Sequence, residues 1–310
     1  MAPEYYQGFY TVYEELWKHK VPSCIYWSDW SGTLSFSGLM AHENLFYQDY
    51  SNFAAMCAGP ADNMPAYCFI EPRYNPADLP TGGVLPETDQ HPDSDIRDGE
   101  TLIHNVYNAI RQNDDLWHSS VLVIVYDEHG GLYDHVKPVP LSSPDGLASV
   151  NPQFDFKMSG VRVPAVVISP YIRPGTICKT SFDHTSVIAT ALKLFTDTWP
   201  TDALYGRAQV ANTLDSLLDL TMAPRDEWPV FAAPAYGGVI PRIQAAAVAQ
   251  APLSDLQREA VQHAISLNAS LPQSKQVAVP AGVLDQATKA GAFVQAVGKA
   301  AVAAHQGLKV

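Results

Sequence analysis

Residues 121–136 read Val121-Leu122-Val123-Ile124-Val125-Tyr126-Asp127-Glu128-His129-Gly130-Gly131-Leu132-Tyr133-Asp134-His135-Val136. The unbroken, mostly β-branched run at 121–125 predicts a central parallel strand covered on both faces. It delivers two carboxylates, an imidazole and two glycines to its C-terminal end, the edge at which open parallel sheets bind ligands. Carboxylates that share a site repel unless one takes up a proton or a cation lies between them. Their oxygens suit a hard divalent metal. Glycines let the backbone turn tightly and leave room for a ligand. A bare Asp-Glu pair after a strand is ordinarily a turn cap beside a solvated side chain. His129, the glycine pair and Asp134-His135 tip the reading towards a site, without naming a reaction.

Working outward, Phe9, Val12, Tyr13, Leu16 and Trp17 have the spacing of an amphipathic helix over 7–19. A short buried strand is expected at 21–27, a helical stretch at 41–59 ended by Gly59-Pro60, and a second strand at 66–70. Residues 73–98 carry no apolar period, and a loop of that length is usually functional or disordered. Asp98 is placed to cap a helix running to about Asn113, with Leu102, Ile103, Val106, Tyr107 and Ile110 on one face. A strand is expected over 161–169 and a helix over 186–195. Beyond Trp199 strand patterns vanish. Ser254 and Gln257 form a capping-box signature ahead of a helix at 255–267, and 281–306 read as helical despite Gly291 and Gly298. The order predicts an α/β fold with a mostly parallel sheet flanked by helices and a C-terminal helical appendage. The implied division is a catalytic domain over 1–225, a linker over 226–249 and a helical region over 250–310.

The chain has 310 residues, 47% hydrophobic and 16% charged, the balance of a folded protein with a sizeable core. Its formal net charge of -13 argues against a nucleic-acid partner, which needs Lys and Arg to replace counterions. A phosphate substrate remains open if a bound metal supplies local positive charge. No stretch reaches the roughly 20 apolar residues of a membrane span. The first residues have no basic head or apolar run of a signal peptide. Cys24, Cys57, Cys68 and Cys178 show no CxxC spacing; buried thiols are expected at Cys24, Cys68 and Cys178, with a Cys57–Cys68 bridge open in an oxidising compartment.

The segment Asp127–Val136 resembles the DEHGGxYDHV signature of the phosphoesterase family that includes bacterial phospholipases C and acid phosphatases, a branch of the alkaline-phosphatase-like superfamily. Further blocks agree in order and spacing: Phe69-Ile70-Glu71-Pro72-Arg73-Tyr74, Asp89-Gln90-His91-Pro92, Gly160-Val161-Arg162-Val163-Pro164-Ala165 and Phe182-Asp183-His184-Thr185-Ser186 among them. The similarity covers about residues 5–220. It implies that Asp127 and Glu128 bind a divalent metal ion, that His91, His129 and His135 are catalytic, and that Glu71 and His184 bind substrate. Asp127, Glu128 and His91 are then expected in one cleft, under a folded-back 73–98 loop. Structural readings stay open: Asp183 and Ser186 can cap a helix around His184, and His135 can form a buried pair with Asp134. His104, a turn from Asn108, reads as packing.

Two of the family's blocks do not occur in the sequence: an ENRSFDH-like motif whose Glu and Asn also bind metal, and the Ser or Thr nucleophile that follows it, in a GPTxPNR-like stretch in many members. The expectation is a chain lacking the family's N-terminal part. Two function classes follow, a metal-dependent phosphoesterase acting on phospholipid or smaller phosphoesters, or a catalytically silent, partner-binding half of one. An uncovered sheet edge is expected to promote association. The resemblance suggests an exported protein. A sulfatase-like hydrolase is disfavoured because no Cys/Ser-x-Pro-x-Arg motif is present.

Overall fold

The computed structural model describes residues 11–36, 39, 47–80, 82–92, 94–144, 154–196, 206–227, 231–232, 234, 247 and 251–306. The chain divides into two compact units, one of residues 1–17, 22–109 and 231–310, the other of 18–21 and 110–230.

In the first unit, helix α1 (Val12–Lys18) turns Val12, Tyr13 and Leu16 inward, as their spacing predicts. Strand β1 (Ser23–Trp27) is buried along its whole length because it is the middle strand. It lies between β2 (Tyr47–Asp49) and β3 (Tyr67–Ile70), and all three run parallel. Residues 41–46 lie outside the described residues, and 47–49 are strand where a helix was expected. Among the described residues of that stretch, only Phe53–Ala58 (α2) is α-helical. The Asp49 carboxylate accepts the Ser51 N–H at 3.0 Å and opens a 3-10 turn, competing with helical continuation. A two-stranded antiparallel ribbon follows, β4 (Ala77–Asp78) with β5 (Val84–Leu85). Helix α3 (Ile96–Arg111) begins before the expected cap: Asp98 lies inside its first turn, and Asp95 accepts the Arg97 N–H instead.

The second unit opens on α4 (Asp114–Trp117), whose Leu116 N–H is capped by the Asn113 side chain at 3.2 Å. Strand β6 (Leu122–Val125) corrects the expectation of a central parallel strand. It pairs antiparallel with β7 (Ala165–Ile168), Val123 opposite Val167, in a sheet of two strands. Both are partly exposed, Val125 at 40% and Val166 at 52%. The reason is the connection. A parallel return needs a crossover, usually a helix, and the Pro-rich stretch between these strands has none among its described residues. An antiparallel bridge between Pro140 and Met158 carries the return. Helix α5 (Thr185–Phe195) buries Ala189 and Leu192.

The C-terminal helices α6 (Asp255–Ser270) and α7 (Ala287–Gln306) are no appendage. They pack on each other and belong to the first unit. Gly291 of α7 meets the sheet-edge loop so closely that a Cβ there would lie 2.7 Å from both the Pro76 carbonyl and the Asn75 Cβ. The glycine that weakened the helical reading is thus what lets the helix seat. Most of the 226–249 linker lies outside the described residues. The cysteines are all free. Cys24 faces Cys68 across β1 and β3, while Cys178, expected to be buried, is exposed past the Pro174-Gly175 turn.

Candidate functional site

Two constellations stand out, one in each unit. In the first, the C-terminal ends of β1 and β3 carry a buried polar network. Asp29, two residues past β1, accepts from Tyr74 N–H at 3.1 Å, Asn75 N–H at 2.9 Å and the Asn75 side-chain amide at 2.9 Å. Burial raises its carboxyl pKa, against the pull of Asn75, Tyr74 and the Arg73 charge. Glu71, one residue past β3 and 4% exposed, accepts the Gly32 N–H at 3.1 Å through Oε1. Its Oε2 has no hydrogen-bond partner among the described residues. Burial pushes this carboxyl up to about 7, aided by nearby Asp29 and opposed by the Ser31 hydroxyl and the Gly32 N–H.

The loop that carries His91 is tied to this edge. Thr88 N–H donates to the Arg73 carbonyl at 2.8 Å, and Arg73 N–H returns a bond to the Thr88 hydroxyl at 2.9 Å. Asp89 accepts the His91 N–H at 3.2 Å. Gln90 between them takes a left-handed φ of 58°, a strain carried next to the candidate histidine. Its side chain fills the space where a Cβ on Gly99 would stand, 2.2 Å from Gln90 Cγ. The glycine early in α3 thus makes room for the loop.

In the second unit the residues after β6 fold into a turn. Asp127 Oδ1 accepts the Glu128 N–H at 2.8 Å, and Glu128 Oε2 accepts the Gly130 N–H at 2.7 Å. His129 Nδ1 lies 3.2 Å from the same Glu128 oxygen. Gly130 and Gly131 have φ of 61° and 71°; no neighbour lies near a Cβ on Gly131, so conformation rather than space demands glycine there. His184 Nε2 donates to the Tyr126 carbonyl at 2.8 Å and so braces the residue just before the acidic pair. Asp183 accepts the Thr185 N–H at 2.7 Å, the capping role open in the sequence. The Asp134–His135 pair is not a buried one: His135 Nδ1 lies 3.4 Å from Asp134 Oδ1, but the His135 side chain is 78% exposed. Arg162 instead forks onto Asp134, with bonds of 2.6 and 2.9 Å, and holds that carboxyl well below the usual range.

The model of the Phosphoesterase family matches residues 4–196, more than half of the chain. The chain belongs to the phosphoesterase family. Among its relatives, the non-specific phospholipase C3 of Arabidopsis thaliana is 35% identical over 236 residues, 71% of this chain and 42% of the relative. The non-specific phospholipase C6 of the same plant is 32% identical over 269 residues, 83% and 49% of the two chains. The non-hemolytic phospholipase C of Burkholderia pseudomallei is 30% identical over 156 residues, 45% and 22%. The chain therefore spans less than half the length of these relatives.

The phosphoesterase blocks read in the sequence fall into both units: Glu71 and His91 in the first, Asp127, Glu128, His129, His135 and His184 in the second. Sequence reasoning missed Asp29, because a single Asp after Trp27-Ser28 carries no pattern. Its only signal was its place past an apolar strand. Arg162 was quoted as part of a block, yet its partner Asp134 lies 28 residues away and no periodicity links them. His104, read from the sequence as packing, also bonds Asn108 at 2.9 Å.

Proposed function

We propose that this chain serves phosphoester hydrolysis of the phospholipase C kind, with phospholipid headgroup esters or smaller phosphoesters as substrates. The observation that carries the reading is the Asp127–Gly131 turn, which presents two exposed adjacent carboxylates on a glycine-shaped backbone. This donor set fits a hard divalent cation. The turn's own bonds engage Asp127 Oδ1 and Glu128 Oε2, and a carboxylate offers about four lone-pair sites. No three His, Cys, Asp or Glu side chains form a metal cage among the described residues. Water and phosphate oxygens would complete the shell, as they commonly do around Mg2+. Bound there, the ion would supply the positive charge that a chain of net charge -13 lacks for a phosphoryl group.

His91 would hold or deliver a proton at a phosphoryl oxygen, with His129 and His135 as further acid–base candidates. Glu71 and His184 bind protein groups here and act behind the substrate, Glu71 through the turn after β1 and His184 through Tyr126. The sequence holds no GPTxPNR-like stretch, the block that carries the attacking hydroxyl in the resemblance, so impaired turnover by this chain is the expected outcome. A second reading, a partner-binding half, is favoured by the exposed apolar surface at Val125 and Val166.

The test is hydrolysis of p-nitrophenyl phosphate and p-nitrophenyl phosphorylcholine with Mg2+ or Mn2+, beside calorimetric titration with Mn2+ alone. Asp127→Ala and Glu128→Ala should abolish Mn2+ binding and any turnover with the fold intact. Mn2+ binding or turnover that survives both substitutions would sink the assignment, and binding without turnover supports the second reading.

A further inference from the structure

We infer that Gln257, in the C-terminal helical pair and beyond the family match, is a positioning residue that clamps the His91-bearing loop to the end of the parallel sheet. Gln257 is 5% exposed and its amide is fully engaged. Its Oε1 accepts the Ser254 N–H at 3.1 Å, half of the capping box that starts α6. Its Nε2 donates to the Tyr74 carbonyl and to Glu87 Oε1, each at 3.0 Å. One side chain thus joins the start of a C-terminal helix, the strap leaving β3 and the loop two residues short of Asp89. A cap needs only the first of these bonds, and the other two reach about 170 and 183 residues back along the chain.

What the clamp would do follows from its neighbours. Tyr74 N–H is already held by Asp29, and Thr88 is bonded both ways to Arg73. The bond to Glu87 closes this lattice on the side from which the chain runs to Asp89 and His91. Glu87 sits in surroundings that raise its carboxyl pKa, burial outweighing the Gln257 donor that lowers it. A charged acceptor makes the bond stronger than an ordinary amide pair. Without it the loop keeps the Arg73–Thr88 pair but loses its attachment to α6. The role assigned to His91 rests on the proposed phosphoesterase reading. The clamp itself does not.

The capping box accepts Glu as readily as Gln, which allows a clean test in the full 310-residue chain. Gln257→Glu keeps the cap, removes the donor and sets one carboxylate against another. Glu87→Gln removes the charged acceptor and leaves the cap and the Tyr74 bond alone. The double variant exchanges donor and acceptor and restores the Glu87 arm. Backbone hydrogen exchange at 87–91 should speed up roughly tenfold in each single variant, the loss of one charge-assisted bond, and return in the double variant. Exchange across α6 should stay unchanged in all three. A charge effect alone would push the two single variants in opposite directions. The clamp is overturned if exchange at 87–91 is unmoved by both single changes, or if the double variant fails to recover. The role of His91 is scored separately, by turnover: if His91→Gln leaves hydrolysis unchanged while the exchange pattern holds, that role falls and the clamp stands.

Discussion

Glu71 shows how far a single residue could be read. The block around it was legible, and the residue was marked as a substrate ligand. Its burial was not, because burial depends on the Gly32 turn that folds over it from 39 residues away. The consequence is a pH dependence with a definite sign. The ordinary carboxyl value is 4.5 and the folded one about 7, so between those values the native state holds more of this proton than the unfolded chain. Stability is therefore fully present below about 4.5, falls as the pH rises, and levels above about 7. The span corresponds to a loss on the order of 3 kcal/mol. Glu71→Gln carries no such proton. Asp29, Glu87 and Asp89 are shifted in the same direction, so the measurement is a difference: urea midpoints of variant and parent between pH 4.5 and 8. The variant should lose less stability than the parent over that range. Parallel curves would remove the assignment of a raised Glu71.

At the scale of elements, apolar periodicity located most of the strands and helices, because burial of side chains is a local pattern. Direction was the failure. Five apolar residues at 121–125 mark a strand; they do not say whether it is covered or which way its neighbour runs, and none of the five is buried. The Pro-rich connection that follows was itself the signal, since its described residues hold no crossover helix. The result is a two-stranded arm whose outward residues include Val125 and Val166. Among the described residues each of its strands has one partner, leaving open edges of the kind that recruit other chains. Val166 is 52% exposed, so Val166→Lys should be tolerated while opposing such pairing. Sedimentation velocity over a concentration series should show association in the parent and its reduction in this variant, at unchanged melting temperature. Equal profiles would mean that the arm is not the contact.

For the whole molecule, the sequence suggested a catalytic part followed by a helical appendage, because strand patterns vanish beyond Trp199 and the later segments read as helices. Contacts cut the chain differently. The two C-terminal helices belong with the first 109 residues, apart from a few near α1, and their fit depends on residues with no sequence pattern: Gln295 donates to the Ser28 carbonyl at 3.0 Å, and Gly291 seats against Asn75 and Pro76. Phe293, Val294 and Val297 of α7 are all 2% exposed or less. Each such side chain is worth roughly 1.5–3 kcal/mol when buried, and native domains as a whole are stable by only about 5–15 kcal/mol. Ending the chain before Ala287 should therefore unfold the first unit rather than trim it. Gly291→Ala is the milder probe. Helix propensity alone would favour alanine by about 1 kcal/mol, whereas forcing a Cβ against a backbone carbonyl costs about 1–3 kcal/mol. The steric term should win, and Gly291→Ala should lower the melting temperature and speed amide exchange in β1 as well as in α7. An unchanged or raised melting temperature would show that α7 rests loosely on the sheet edge, and the C-terminal pair would return to being an appendage.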